Sequence, residues 1–229
     1  MDLPGAAVAF STRRGGVSEG PYESLNLGIL TDDERARVER NRELLADAAA
    51  IDPSSIAMGW QVHGTDLKEW DEGSDPLSVS DSRGLTPCDG HVTAREDLAL
   101  LVLVADCLPV ALAGGDRVAM VHCGWRGLAA GILANAVARF DEPPAAAVGP
   151  GIGRCCYEVG DEVRSQFDRR LADGRMLDLR AIADHLLRDA GVERVEHVDL
   201  CTSCREDLFF SHRRDAGMTG RQGGLVWRG

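Results

Sequence analysis

The sequence predicts a single α/β domain of mixed topology spanning residues 1–229. Three observations carry that expectation. Apolar runs of strand length, Leu98 to Val104 foremost, alternate with segments of helical pattern such as Leu128 to Phe140 and Leu179 to Ala190. The chain has 229 residues, 44% of them hydrophobic, enough for a sizeable core without help from disulfides. No repeat, low-complexity tract or linker divides it.

In chain order, Ala7 to Thr12 reads as a short strand running into a turn at Arg13-Arg14-Gly15-Gly16, and Pro21 to Gly28 reads as irregular. Thr31-Asp32-Asp33-Glu34 reads as a capped helix start, with Thr31 or Asp32 as N-cap and the helix running to about Ala49. Ile56 to Val62 is expected as a strand delivering His63, and Leu67 to Trp70 as another. Asp71 to Pro87, rich in Asp, Ser, Gly and Pro, is a long loop. Leu98 to Val104 has the unbroken apolar character of a strand buried on both faces. Pro109 to Ala113 and Val118 to His122 form a hairpin across Gly114-Gly115-Asp116. Beyond them, Leu128 to Phe140, Glu158 to Leu171 and Leu179 to Ala190 read as helices, the last capped by Gly191. Ala145 to Val148, Val195 to Leu200 and Leu225 to Trp227 read as strands.

The formal net charge is −12, which argues against nonspecific association with nucleic acid or a membrane surface. It leaves room for a small anion, because a few arginines in a pocket outweigh the global field. No stretch approaches the ~20 apolar residues of a membrane span. Met1 to Phe10 lacks the basic region of a secretory signal, so a cytoplasmic location is expected. Seven cysteines, an odd number, suit a reducing compartment.

Three residues stand at the exits of strand-like segments: His63 in Gln61-Val62-His63-Gly64, Cys107 in Ala105-Asp106-Cys107-Leu108-Pro109, and His122 in Val121-His122-Cys123-Gly124. Two imidazoles and one thiolate make a three-ligand zinc set that leaves a fourth position open. The same residues also fit a cysteine nucleophile with a histidine base. They fit a copper ligand set too, though six histidines without a His-x-His pair are too few for a multicopper cluster. Spacing alone favours satisfied strand-end histidines and a buried thiol. The neighbours Asp106, Trp125 and Arg126, and the flanking glycines, shift that balance toward a site. Arg126 and Arg13, each beside glycine, are candidate anion-binding forks. Gly149-Pro150-Gly151-Ile152-Gly153 lacks the features of a P-loop and reads as a turn with close backbone approach. Cys201-Thr202-Ser203-Cys204, the vicinal pair Cys155-Cys156, Cys88 and Cys123 read as buried or half-buried thiols.

Taken together the motifs resemble the YfiH/YlmD family, also called laccase-domain, polyphenol oxidase or peptidoglycan-editing (PgeF) proteins. The resemblance rests on Phe10-Ser11-Thr12-Arg13-Arg14-Gly15-Gly16, Ser24-Leu25-Asn26-Leu27-Gly28, the segments around His63, Cys107 and His122, Gly149 to Gly160, and Phe209 to Gln222, in conserved order along nearly the whole chain. It implies a mixed-topology sandwich of the cysteine-hydrolase-like type. It implies zinc, or alternatively copper, on His63, Cys107 and His122, with Asp106 as an auxiliary catalytic group. Arg13, Asn26 and Arg126 would bind substrate or phosphate. The implied activity is phosphorolysis of adenosine, inosine, guanosine and methylthioadenosine, with deamination of adenosine, by a monomer or small homo-oligomer. The alternatives are an amidase that edits a peptidoglycan precursor and a copper-dependent oxidase of phenols. Three positions depart from the family pattern: Cys123 replaces alanine, His212 replaces tyrosine, and His91 replaces an aliphatic residue. Cys123 and His91 are therefore candidate extra ligands.

Overall fold

The computed structural model describes residues 2–72, 74 and 85–229. Two mixed sheets form its centre. The five-stranded sheet runs β1 (Asp2–Leu3), β2 (Ala6–Phe10), β13 (Gln222–Arg228), β6 (Ala99–Val104) and β3 (Ile56–Ala57). The six-stranded sheet runs β12 (Val195–His197), β9 (Ala145–Val148), β7 (Leu108–Gly114), β8 (Arg117–Cys123), β5 (Gly90–Thr93) and β4 (Leu67–Trp70). The pairs β3/β6, β4/β5 and β9/β12 are parallel, and the remaining neighbours in the two sheets are antiparallel.

The burial pattern explains the layering. Val8, Leu100, Val102 and Val226 of the first sheet meet Ala111, Val118, Met120 and Ala147 of the second in a shared core. The small alanines let the two sheets approach. Outside the first sheet, Leu101 and Leu225 pack against Leu45 and Ala46 of α1 (Arg35–Ala49). Beyond the second sheet, Val110, Leu112 and Val121 pack against α2 (Trp125–Ala129), α3 (Ile132–Val137) and α5 (Leu179–Asp189). The result is a four-layer helix–sheet–sheet–helix sandwich. Strands β6, β7 and β8 are buried almost throughout, as their unbroken apolar runs require.

Several elements differ from the sequence expectation, each for a local reason. Helix α1 starts at Arg35, not at Thr31 or Asp32. Thr31 Oγ1 donates to Gly28 O, and Asp33 accepts from Ser18 and Asn26, so these side chains tie down the preceding loop. The strand expected over Ile56 to Val62 keeps only Ile56–Ala57. Past it, the Gln61 side chain brackets Leu103, donating to its carbonyl and accepting from its amide, in place of a strand ladder. The expected helix from Leu128 to Phe140 divides into α2 and α3 at Gly131, whose φ of +90° a helix cannot hold. The helix expected over Glu158 to Leu171 shrinks to α4 (Asp161–Arg164), because Asp168 accepts from the Arg170 amide and restarts the chain as a 3-10 turn. After that turn, β10 (Ala172–Asp173) and β11 (Met176–Leu177) form a small hairpin. Strand β12 ends at His197, short of Leu200. Helix α5 ends as expected, with Gly191 at φ +93° just past the cap. The loop assigned to Asp71–Pro87 lies largely outside the described residues. Among the described residues, no helix is long and apolar enough to cross a membrane.

Candidate active site

The site lies where the strand ends of both sheets open onto three loops. Strand β8 carries His122 to its exit, and β7 begins one residue after Cys107. The loop after β3 brings His63 across. Ligand atoms of these three residues all lie within 4.8 Å of one another. Cys107 Sγ is 3.9 Å from His63 Nε2, and the two imidazole rings meet edge to face at 4.8 Å between centroids. His122 and Cys123 alternate along β8, so His122 faces the site while the Cys123 side chain enters the core beyond the second sheet.

Asp89, a residue the sequence reading missed, organises this cluster. It is fully buried and accepts from His122 Nδ1 at 2.7 Å, which leaves His122 Nε2 for the cluster. Its carboxylate also accepts the amides of Val62 at 3.1 Å, His63 at 2.9 Å and Gly64 at 2.7 Å. Those bonds hold His63 at a φ of +61°, a left-handed conformation that side chains seldom adopt. Burial alone would push the Asp89 carboxyl up, but the His122 imidazole and the amides of Gly64 and Val62 more than reverse this, and its pKa falls to about 2. The signal was present in sequence as Cys88-Asp89-Gly90, but nothing local to it points at a histidine thirty residues away.

The metal-free electrostatics follow from the packing. Burial opposes ionisation of Cys107, yet the facing His122 outweighs it and the thiol pKa falls to about 6. Burial likewise opposes the His122 cation, yet Cys107 and Asp89 raise its pKa to about 9. Two imidazoles, one of them oriented by a carboxylate, and a low-pKa thiol suit a borderline-soft divalent ion. Tetrahedral zinc would set N···S edges of roughly 3.6 Å, a small contraction from the distances present. Gly124 keeps that space open: a Cβ there would stand 3.0 Å from His63 Cδ2 and 3.1 Å from Cys107 Sγ.

The other sequence candidates divide. Asp106 sits beside the cluster at φ +92°, but both carboxylate oxygens are taken, one by Thr202 Oγ1 and the other by the Arg213 amide, each at 2.7 Å. It positions the Cys107 loop and does not orient a histidine, the role Asp89 fills. Arg126 lines the pocket and lies over the Trp125 ring at 4.4 Å. Arg13 does not line it; its guanidinium donates to Glu23 O and Glu206 O and stacks on Phe210. Asn26 is buried behind the wall, accepting from the Gly28 and Arg221 amides and donating to Thr31 and Asp33. The cations that do reach the pocket beside Arg126 are Arg42, Arg213 and Arg221. His212 lines it as well. His91 does not join the cluster: it is buried against Trp70, whose Nε1 donates to its Nδ1 at 3.3 Å.

These residues floor a cavity of about 770 Å³. Trp60 and Trp125 line it, and Met58, Ile152 and Tyr157 give it apolar walls. Burial raises the Tyr157 phenol to about 12, with the Cys107 charge adding to the effect, so it keeps its proton at neutral pH. A second concavity, of about 800 Å³, lies beside α5. Its charges are paired with one another, Arg188 and His197 with Asp184 and Arg180 with Asp199, and it holds no comparable reactive set.

Residues 7–229 match the family described as multi-copper polyphenol oxidoreductase laccase. The chain belongs to this laccase-type, YfiH/YlmD family. It is 39% identical to the purine nucleoside phosphorylase YfiH of Escherichia coli strain K12, over 97% of this chain and 94% of the relative. It is 34% identical to the purine nucleoside phosphorylase YlmD of Geobacillus stearothermophilus, over 98% and 90%. The crystal structure of the Geobacillus stearothermophilus YlmD superposes with a TM-score of 0.92 at 33% identity, covering 99% of this chain and 93% of that one. The YfiH protein of Bacillus licheniformis gives 0.91 at 32%, covering 98% and 93%. A laccase-type family implies a metal, and two groups of His and Cys side chains among the described residues of this YfiH/YlmD member have the chemistry for one.

Proposed function

We propose that this chain is a zinc-dependent purine nucleoside phosphorylase, copper being the alternative ion, with His63, Cys107 and His122 as ligands. Its substrates would be adenosine, inosine, guanosine and methylthioadenosine, and it would also deaminate adenosine. One observation carries the reading: a preorganised His-Cys-His cluster floors a pocket of nucleoside size that also presents tryptophans and arginines. The phosphorylase names of the relatives support it. The two-sheet sandwich suits a cysteine-hydrolase-like type in one domain, and the cytoplasm is the proposed setting.

When bound, the ion would act as a Lewis acid on a substrate oxygen. The remaining work falls to the chain. Trp60 and Trp125 offer faces on which a purine stacks. Arg126, with Arg213 and Arg221, offers the positive charge for phosphate, the role the sequence reading also gave to Arg13. Phosphorolysis forms a bond from a phosphate oxygen to C1′ as the C1′–N9 bond breaks, and the purine leaves with the electron pair and takes up a proton. Tyr157, protonated at neutral pH, is a hydrogen-bond donor within the same walls. Asp89 and Asp106 hold the loops in register. Chromatography of inosine with and without phosphate tests the proposal: hypoxanthine and ribose 1-phosphate should form only with phosphate and metal. No turnover in the zinc-loaded protein would overturn it.

A second reading has its own observation. Cys107, His122 and Asp89 stand in the order nucleophile, base and orienting carboxylate, with a thiol that ionises near neutrality. That arrangement suits an amidase releasing serine from a peptidoglycan precursor. Serine release by the metal-free protein, abolished in Cys107→Ala, would select it. Copper-dependent oxidation of phenols has weaker support, since the cluster supplies only two histidines.

A further inference from the structure

Four cysteines outside the pocket converge at one point. Cys155 and Cys156 lie on a turn in which the amides of Cys156 and Tyr157 both donate to Gly153 O. Cys201 and Cys204 lie on a second turn, closed by Arg205 N donating to Cys201 O. All four Sγ atoms fall within 4.8 Å of one another. Cys204 Sγ is 3.4 Å from both Cys155 Sγ and Cys156 Sγ. These separations are too long for a disulfide at about 2.05 Å. They are close to the roughly 3.8 Å S···S edge of a tetrahedron with Zn–S bonds of 2.3 Å. A disulfide would use two of the sulfurs and leave two; convergence of all four is what a tetrahedral ion requires. Gly153 N donates to Cys201 Sγ at 3.2 Å, a bond that favours a thiolate. Cys155 and Cys204 are exposed, so an ion has a path in. The sequence reads these four as buried or half-buried thiols, but Cys155 and Cys204 are exposed, and the turn at Gly153 aims the sulfurs of Cys155 and Cys156 at Cys204.

We propose that Cys155, Cys156, Cys201 and Cys204 form a second metal site, a closed four-thiolate centre for zinc whose role is structural. It joins the loop that carries Ile152 and Tyr157 of the pocket wall to the turn that supports Asp106. Thr202, between two of the ligands, donates through its hydroxyl to Asp106 and through its amide to Gly151 O. Ile152 and Tyr157, beside the other two, line the cavity. Losing the ion would loosen the Asp106 support and the Tyr157 wall without removing any member of the His63, Cys107 and His122 cluster.

The test is metal content with cobalt substitution, and its deciding arm, Cys107→Ala, does not depend on the function proposed above. Elemental analysis of protein purified under reducing conditions should find two zinc ions per chain in the wild type. It should find one in Cys107→Ala, and one in the Cys201→Ser/Cys204→Ser double variant. Cobalt in Cys107→Ala should show the intense thiolate charge-transfer and tetrahedral d–d bands of a four-sulfur centre. Should the double variant fail to fold, Cys107→Ala still decides, because it retains the four-cysteine centre. Cys107→Ala free of zinc, or a disulfide from Cys204 to Cys155 or Cys156 in the reduced preparation, would overturn the proposal. If only the pocket site were real, Cys107→Ala would hold no metal; if only this one were, it would hold as much as the wild type.

Discussion

Asp89→Asn is the substitution that most directly probes how the site is held. Asp89 accepts four N–H groups: His122 Nδ1 and the amides of Val62, His63 and Gly64. Asparagine keeps one oxygen and turns the other into an NH2 group, which must face donors. Whichever way it flips, two bonds are lost, because each carboxylate oxygen serves two of the four. At about 1.5 kcal/mol for a bond to a charged acceptor, the loss is about 3 kcal/mol. For a chain of this length that lowers Tm by roughly 6–12 °C. Loss of the partner that orients a ligating imidazole should also weaken metal binding about 10- to 100-fold. Linkage adds an independent signature. The folded pKa of about 2 lies below the ordinary 3.8, so the stabilisation is fully present above pH 3.8 and is lost as pH falls toward 2. Its full size is about 2 kcal/mol. Calorimetry across pH 2 to 7 and competition against a chromophoric chelator read both effects. A variant that melts within about 2 °C of the wild type and binds zinc equally well would refute the assignment of Asp89 as the organiser.

Three further outcomes are expected. His91 is held neutral down to about pH 3 by burial, against an ordinary 6.5, and its Nε2 has no hydrogen-bond partner among the described residues; the unfolded chain therefore gains a proton first, and stability falls as pH drops below 6.5. The loss is about 1.4 kcal/mol by one pH unit below that value, or roughly 3–6 °C in Tm, and His91→Val should remove that part of the slope, whereas an unchanged slope would contradict it. Arg126→Ala should raise KM for phosphate about tenfold, the equivalent of about 1.4 kcal/mol, and leave KM for inosine unchanged; equal rises in both would assign Arg126 to general packing. His63→Ala should remove the pocket zinc and phosphorolysis together but leave a reactive Cys107 thiolate; full phosphorolysis in this variant would exclude His63 from the centre.

The hairpin and the buried strands were legible because their residues follow one period without interruption. Val110 to Ala113 and Val118 to Val121 sit in register across the turn, as the apolar runs indicate. Strand β5 was not legible, since the polar residues Asp89, His91 and Thr93 break the apolar run that marks a buried strand, yet all of them are buried in the structure. Their burial is a tertiary property: Trp70 Nε1 donates to His91 Nδ1, Trp70 O accepts from the Thr93 hydroxyl, and Asp89 accepts from His122. The segment from Glu158 to Leu171 failed for the opposite reason. Its spacing suits a helix, but Asp168 caps a new turn within it. Of the site candidates that residue type beside turns singles out, the structure brings His63, Cys107, His122 and Arg126 to one pocket. Arg13 and Asn26 carry equally strong motifs, but they build the wall from behind, where a motif and a contact cannot be told apart in one dimension. The convergence of the four cysteines is not legible for the same reason, because it depends on the pairing of Gly151 with Cys201 between segments fifty residues apart.

Two strained positions show how these parts depend on one another. His63 and Asp106 both carry positive φ without being glycine, and each sits on a loop that presents a member of the cluster. Such conformations persist only where the surroundings over-determine them. On one side the surroundings are Asp89, which grips three successive amides. On the other they are Thr202 and the Arg213 amide, which grip the Asp106 carboxylate. Arg214 then donates to the carbonyls of Thr202 and Ser203, tying the turn that bears Cys201 and Cys204 to the Arg213 segment. The right-hand support is thus only as rigid as that cysteine turn, and among the described residues it has no grip like that of Asp89 on three amides. A tightly bound ion at the four sulfurs would supply the missing constraint. That constraint gives a reason for four cysteines to converge behind a pocket whose own ligand set needs one.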